Sequence, residues 1–225
     1  MSINVHNTLI NKSLIINQHM DQMIVLDDLV KDFSMIFPDQ IDLQPWEITN
    51  RLKDIIEKRM IHLDGEYIIQ DGIAIHKTAI IESGVVMKKP VIIGANCYVA
   101  ANAYFREGVY LDKWVKIGPG CEIKNSIICA ETAIAHFNYI GNSIIGRNVN
   151  FEAGSIAANH YNERVLKRIF VLYRSEIFDT GLEKFGSLVG DNSKIGANAV
   201  LSPGTILEKN TIVKRLELVE QHKTE

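Results

Sequence analysis

From Ile75 onward every sixth residue is large and apolar: Ile75, Ile81, Met87, Ile93, Val99, Phe105, Leu111, Ile117 and Ile123. The residues two places earlier, Ile73, Ala79, Val85, Val91, Cys97, Ala103, Val109, Val115 and Cys121, are also apolar and mostly small or β-branched. Apolar residues make up 47% of the chain, so nine in a row by chance has a probability on the order of one in a thousand. The second register lowers it further. The count slips by one residue and resumes at Ile128, Ile134 and Ile140, slips again to Ile145 and Phe151, and returns after an interruption as Val189, Ile195, Leu201, Leu207 and Val213. A period of six fits neither an α-helix nor an alternating strand. It predicts a solenoid of about six coils built from short strands and corners, each bulky residue pointing inward. Glycine often follows the bulky position (Gly94, Gly118, Gly141, Gly146, Gly190, Gly196), which suggests corners that need backbone freedom.

Three segments escape the period. Residues 24–37 and 45–60 read as amphipathic helices, the second opened by Pro45 with Ile48, Leu52, Ile55 and Ile56 on one face. We expect them to pack beside the first coil and cover its open edge. Asp64-Gly65 between apolar runs is a hairpin signal. Residues 160–186 break the coil after Asn159 and should protrude, with the apolar stretch IFVLY suggesting a β-hairpin arm. The expected division is therefore a helical segment and hairpin over 1–72, a coil over 73–215 with its insertion at 160–186, and a tail over 216–225.

This six-residue pattern resembles the hexapeptide-repeat family, whose repeats form a left-handed parallel β-helix with three strands per coil. The fold class expected is thus mainly β, with the handedness implied by the resemblance. Residues 136–159, HFNYIGNSIIGRNVNFEAGSIAAN, resemble something narrower. They are similar to the acetyltransferase domain of the bifunctional glucosamine-1-phosphate acetyltransferase and N-acetylglucosamine-1-phosphate uridylyltransferase family. That domain carries H-x-x-Y-[IL]-G, then G-x-N-V-N-x-x-A-G and a further Asn. The matching residues are His136, Tyr139, Ile140 and Gly141, then Gly146, Asn148, Val149, Asn150, Ala153 and Gly154, and Asn159.

The resemblance implies an acetyl-CoA-dependent N-acyltransferase acting on an amino sugar phosphate or a nucleotide-linked amino sugar, with His136 as general base, since a neutral imidazole suits removal of an amine proton near neutral pH. It places Arg106 and Lys124 as cationic contacts to a sugar phosphate. Tyr139, Asn150 and Asn159 would orient the acceptor, and Ala153 and Ala197 would line the path of the acyl donor, acetyl-CoA. The implied partners are a small sugar substrate and two further copies of the chain in a homotrimer, with the 160–186 arm reaching a neighbour. No metal is implied. Departures from the pattern are His160 where the family carries tyrosine, Gly186 where it carries lysine, Ala197 where it carries serine, and a longer insertion. The nucleotidyl half has no counterpart in these residues. The Asn residues have a structural alternative, because asparagine tolerates left-handed corners and stacks in ladders. Arg106 and Lys124 fall on hexad positions that normally face solvent.

Other readings stand beside this one. An acyl-carrier-protein-dependent sugar-nucleotide acyltransferase would use Lys53, Lys58 and Arg59 to dock its acidic donor protein. A non-catalytic scaffold would keep the coil without turnover. Zinc chemistry would need His76, His136 and His160 to converge, and no close pair has the needed spacing. The net charge of −3 gives no reason to expect nucleic acid or an anionic membrane. No apolar window is long enough to span a bilayer, and the N-terminus lacks the pattern of a signal peptide. Three cysteines without ligand spacing, two of them (Cys97, Cys121) in the inward register, read as core thiols. A cytoplasmic protein is the expectation.

Overall fold

The computed structural model describes residues 23–222; the signal-peptide expectation and the last three residues of the tail lie outside them. The period of six becomes a parallel β-solenoid with three faces per coil. On the first face the inward residues Ile75, Ile93, Leu111, Ile128, Ile145, Val189 and Leu207 stack. The second face stacks Ile81, Val99, Ile117, Ile134, Phe151, Ile195 and Val213. The third stacks Met87, Phe105, Ile123, Ile140, Ala157, Leu201 and Val219. Seven levels are therefore present on each face, one more than the sequence suggested, because Ala157 and Val219 continue a column that larger residues define. The coil runs on through Leu218–Val219, past residue 215. On the first face the strand Tyr67–Gln70 adds an antiparallel eighth level against Ile73–His76.

The two slips in the count are two 17-residue coils among 18-residue ones: Ile93 to Leu111 spans 18, Leu111 to Ile128 and Ile128 to Ile145 span 17 each. The shortened corners place small hydroxyl residues inside, where they satisfy freed backbone groups. The Ser126 hydroxyl donates to the Lys124 carbonyl (2.7 Å) and accepts from the Ser143 N–H (3.0 Å). The Ser143 hydroxyl does the same for the Gly141 carbonyl (2.7 Å) and the Ser187 N–H (2.9 Å). All three cysteines are buried and free, and burial pushes the Cys97 thiol up to about 12.

The glycines after the bulky positions answer to space rather than to backbone freedom. A Cβ on Gly118 would stand 1.9 Å from the Ala135 carbonyl oxygen of the next coil. The left-handed corners lie elsewhere and form columns. One holds Asn96, Trp114, Glu131, Asn148, Asn192 and Asn210; another holds Gly84, Asn102, Gly120, Phe137, Gly154, Asn198 and Leu216. Asn148 is a ladder residue of the first column, donating to Asn192 at 3.0 Å.

The helical segment departs from expectation in three ways. The helix read over 24–37 is two turns, α1 (Leu26–Leu29) and α2 (Phe33–Ile36), broken at Asp32 with φ 62°. The second becomes α3 (Pro45–Asn50), opened by Pro45 and a Gln44/Glu47 capping box, followed by α4 (Leu52–Met60). The hairpin turn is Asp71-Gly72, with φ of 49° and 76°, a pair of left-handed residues that suits a two-residue turn. Asp64-Gly65 forms only a local turn, where the Glu66 N–H donates to Asp64 Oδ1 at 3.0 Å.

These helices do not cap the first coil. They lie along the outer side of the first face, burying Ala74, Ile92, Tyr110, Ile127, Ile144, Leu188 and Ile206 in a second core. The 160–186 insertion does not protrude either. Its hairpin, Phe170–Tyr173 paired with Glu176–Asp179, folds back so that Tyr161, Ile169, Val171 and Phe185 join the same core. Trp46 of α3 joins the two, its ring centroid 6.0 Å from Phe178 and 5.9 Å from Phe185. Asp191 ties the segment to a corner: its carboxylate accepts the N–H groups of Lys31 (2.9 Å) and Arg147 (2.7 Å). Among the described residues no helix is long and apolar enough to cross a membrane.

Two outcomes follow from this packing. Trp46→Ala removes the aromatic contact between helices and insertion and should cost about 3–5 kcal/mol in chemical denaturation; a cost within 0.5 kcal/mol would contradict the second core. The Glu152 carboxylate, held down to about 2 by the Arg215 guanidinium and the Ala197 N–H, ties adjacent coils. Its folded value lies below its ordinary 4.5, so its stabilisation is present above about pH 4.5 and lost as pH falls towards about 2. Glu152→Gln should melt below wild type at pH 5, and the gap should close by pH 2.

Candidate active site

Because each coil sits on the last, residues 17 or 18 apart share one outward position. Tyr139 lies over Ile156, and Ile156 over Val200 and then Leu218. Three residues earlier the same stacking makes a column of His136, Ala153, Ala197 and Arg215 at the corner between second and third faces. His136 is exposed there. Its carbonyl accepts the Gly154 N–H at 2.9 Å and the Asn138 side-chain N–H at 3.2 Å, fixing the backbone that carries the imidazole. The residue after it, Phe137, holds a left-handed φ of 54° and is 73% exposed, an uncommon place for a bulky side chain.

On the third face the strands bring Arg106 beside Lys124 and Lys124 beside Gly141. Lys124 does not face solvent as its hexad position suggests: it is 6% exposed. Its ammonium pairs with Glu107 at 3.1 Å, the partner a buried cation requires. Arg106 donates from Nε to Glu122 (2.7 Å) and pairs with Glu107 (3.2 Å). Burial pushes the Glu107 carboxyl up, but the Lys124 hydrogen bond and the charges of Lys124, Arg106 and Lys184 outweigh it and hold the group below its ordinary value. The Glu122 hydrogen bond holds the Arg106 guanidinium more firmly charged.

Tyr139 lies back along its own strand, so that a Cβ on Gly141 would stand 2.5 Å from its hydroxyl. Burial, then the Glu122 charge, push its phenol up, opposed by Arg106 and by a hydrogen bond with Asn159. Asn159 is buried and donates to Asn142 Oδ1 at 2.6 Å. Gly186 closes this corner. Its Cβ would stand 2.0 Å from the Gly141 carbonyl oxygen, so a lysine cannot replace it here.

The chain thus gathers Arg106, Lys124, Tyr139 and Asn159 into one cluster. His136 stands at the adjoining corner with Ala153 and Ala197 beneath it. Asn150 is exposed on the second face, paired in register with Ala133 and Lys194, away from the cluster. Sequence reasoning missed Glu107, Glu122, Asn142 and Lys184. Counting 17 back from Tyr139 finds Glu122, and 17 on from Asn125 finds Asn142; Lys184 lies in the insertion, beyond such a count. Of the basic residues on the helical segment, Arg59 is turned inward, donating to the Ile36 carbonyl (2.5 Å) with its guanidinium over Phe37 and Tyr110. Among the described residues no group of three or more His, Cys, Asp or Glu side chains is placed to hold a metal ion.

Comparison with known proteins agrees with the coil. A family described as bacterial transferase hexapeptide (six repeats) matches residues 90–125, and one described as the hexapeptide repeat of succinyl-transferase matches residues 188–214. A bifunctional sugar-1-phosphate nucleotidylyltransferase/acetyltransferase of Sulfurisphaera tokodaii is 30% identical over 151 residues, 67% of this chain and 36% of that protein. The bifunctional protein GlmU of Nitrosomonas europaea is 38% identical over 93 residues, 41% of this chain and 19% of its own. That of Buchnera aphidicola is 35% identical over 124 residues, 55% of this chain and 21% of its own. The chain spans between a fifth and just over a third of the length of these relatives. By its repeats and by the coil they build, the chain is a hexapeptide-repeat protein.

Proposed function

We propose that the protein is an N-acyltransferase that moves the acetyl group of acetyl-CoA to the amine of an amino sugar. The observation that carries this reading is the corner column: an exposed histidine with two alanines stacked below it, beside a polar cluster on the next face. Similarity to a protein named as a bifunctional sugar-1-phosphate nucleotidylyltransferase/acetyltransferase supports the reaction class.

In this reading His136 takes the proton that the amine loses as its nitrogen bonds to the thioester carbonyl carbon. When the tetrahedral adduct collapses, the carbon–sulfur bond breaks and the imidazolium returns that proton to the leaving thiolate. Tyr139 and Asn159 orient acceptor hydroxyls. Ala153 and Ala197, with side chains no longer than a methyl, let the donor's thiol arm run close to the backbone from coil to coil, at about 4.8 Å per level.

One coil offers no concave pocket, and small-molecule sites are concave. The helices and insertion cover the first face of this chain, leaving the second and third bare. Contact between the second face of one copy and the third face of the next is head-to-tail and closes into a ring of three. It would bring Asn150 of one copy towards Tyr139 of another, which accounts for an acceptor contact standing on the wrong face of a single chain.

Free-thiol release over a set of amino sugars, with isothermal titration of acetyl-CoA, tests the reading. His136→Ala should lower turnover about 10²–10⁴-fold, while sedimentation still gives the mass of three chains. Neither binding nor thiol release with any amino sugar in wild type would overturn the activity, and a monomer would overturn the cleft.

A further inference from the structure

The two cations that sequence resemblance assigns to a sugar phosphate are already occupied. Arg106 is held by Glu122 at 2.7 Å and Glu107 at 3.2 Å, and Lys124 by Glu107 at 3.1 Å. Two cations therefore face two carboxylates, and the cluster offers an incoming dianion no free fork of donors of the kind that phosphate recognition uses.

Glu107 is placed there by the backbone. It holds a left-handed φ of 61°, followed by Gly108 at 96°, where the strand register shifts between Arg106 and Val109. Gly108 is wedged beneath α4: a Cβ on it would meet the Lys53 backbone at 3.3 Å and the Asn125 side chain at 3.3 Å. The Asn125 amide in turn donates to the Thr49 carbonyl of α3 at 2.6 Å. The helical cover thus pins the bulge that aims Glu107 at Lys124. A further cation nearby is the exposed Lys184, whose charge also acts on Glu107. Breaking the pair would leave a buried ammonium facing no carboxylate, which is costly.

We propose that Glu107 sets the acceptor class: the site takes an amino sugar that carries no phosphate where Arg106 and Lys124 lie, and Glu107 rejects the phosphorylated form. This rests on the acyltransferase reading above. An ammonium or hydroxyl group of the acceptor donates to the Glu107 and Glu122 carboxylates, while a phosphate in that place meets like charge and must break two charge-assisted hydrogen bonds.

The test compares glucosamine with glucosamine 1-phosphate, in wild type and in Glu107→Gln, by thiol release and by isothermal titration. Gln keeps a hydrogen-bond acceptor for Lys124 and removes the charge. Wild type should prefer glucosamine at least tenfold in kcat/KM, and Glu107→Gln should raise kcat/KM for the 1-phosphate at least tenfold. A wild-type preference for the 1-phosphate, or an unchanged ratio in the variant, overturns the inference and leaves the acyltransferase reading standing. Absence of thiol release with these two sugars and with every other amino sugar of the set overturns that reading instead. The titrations then decide the inference alone: tighter binding of glucosamine to wild type supports it, and tighter binding of the 1-phosphate, or binding of neither, overturns it.

Discussion

Backbone hydrogen bonds between successive coils decide where every other group in this molecule stands. Ile92 pairs with Tyr110, Tyr110 with Ile127, and Ile127 with Ile144, so a residue's outward neighbours are fixed by adding 17 or 18 to its number, or 44 across the insertion. Inward, the same ladder stacks Ile, Val, Leu and Phe into one dry column, the dominant favourable term for a fold with little other interior. Outward, it turns a one-dimensional list into columns: asparagines along one corner, and His136, Ala153 and Ala197 along another. Shortening a coil by one residue does not disturb the ladder. It exchanges an apolar inward residue for Ser126 or Ser143, whose hydroxyls take over the hydrogen bonds that the tighter corner releases.

This explains which features could be read from the chain. The coil was legible because a period of six leaves its mark on more than a hundred residues, and the slips at Ile128 and Ile145 were visible as breaks in that count. The cover was less so. Amphipathic spacing shows that Ile48, Leu52, Ile55 and Ile56 seek an apolar surface, but not which one. The surface they found consists of the outward residues Ile92, Tyr110, Ile127 and Ile144, whose apolar character the hexad reading did not use. Had that outward register been followed down the first face, it would have shown a second apolar column needing a lid. The insertion supplies part of that lid, with Phe185 and Phe178 meeting Trp46, and so turns back instead of protruding.

The site shows the same division. His136 and Tyr139 were legible through the spacing of a motif, and Lys124 through its distance from His136. The burial of Lys124 was not, because the carboxylate it pairs with is brought to it by the bulge at Glu107. Glu107 reads in sequence as one more charged corner residue. Only the stacking of Arg106 on Lys124 and the pressure of α4 on Gly108 show that it answers both cations. The helical cover, which looks like a stability device, thereby reaches into the charge balance of the polar cluster on the neighbouring face.

In the proposed reading an acyl donor runs along the corner column headed by His136, at a junction between copies. A crystal structure of the protein with coenzyme A bound tests this most directly. The donor's sulfur should lie beside the His136 imidazole, its arm passing Ala153 and Ala197, with a neighbouring copy's second face closing the cleft. Coenzyme A bound elsewhere, with its sulfur away from His136, would contradict it.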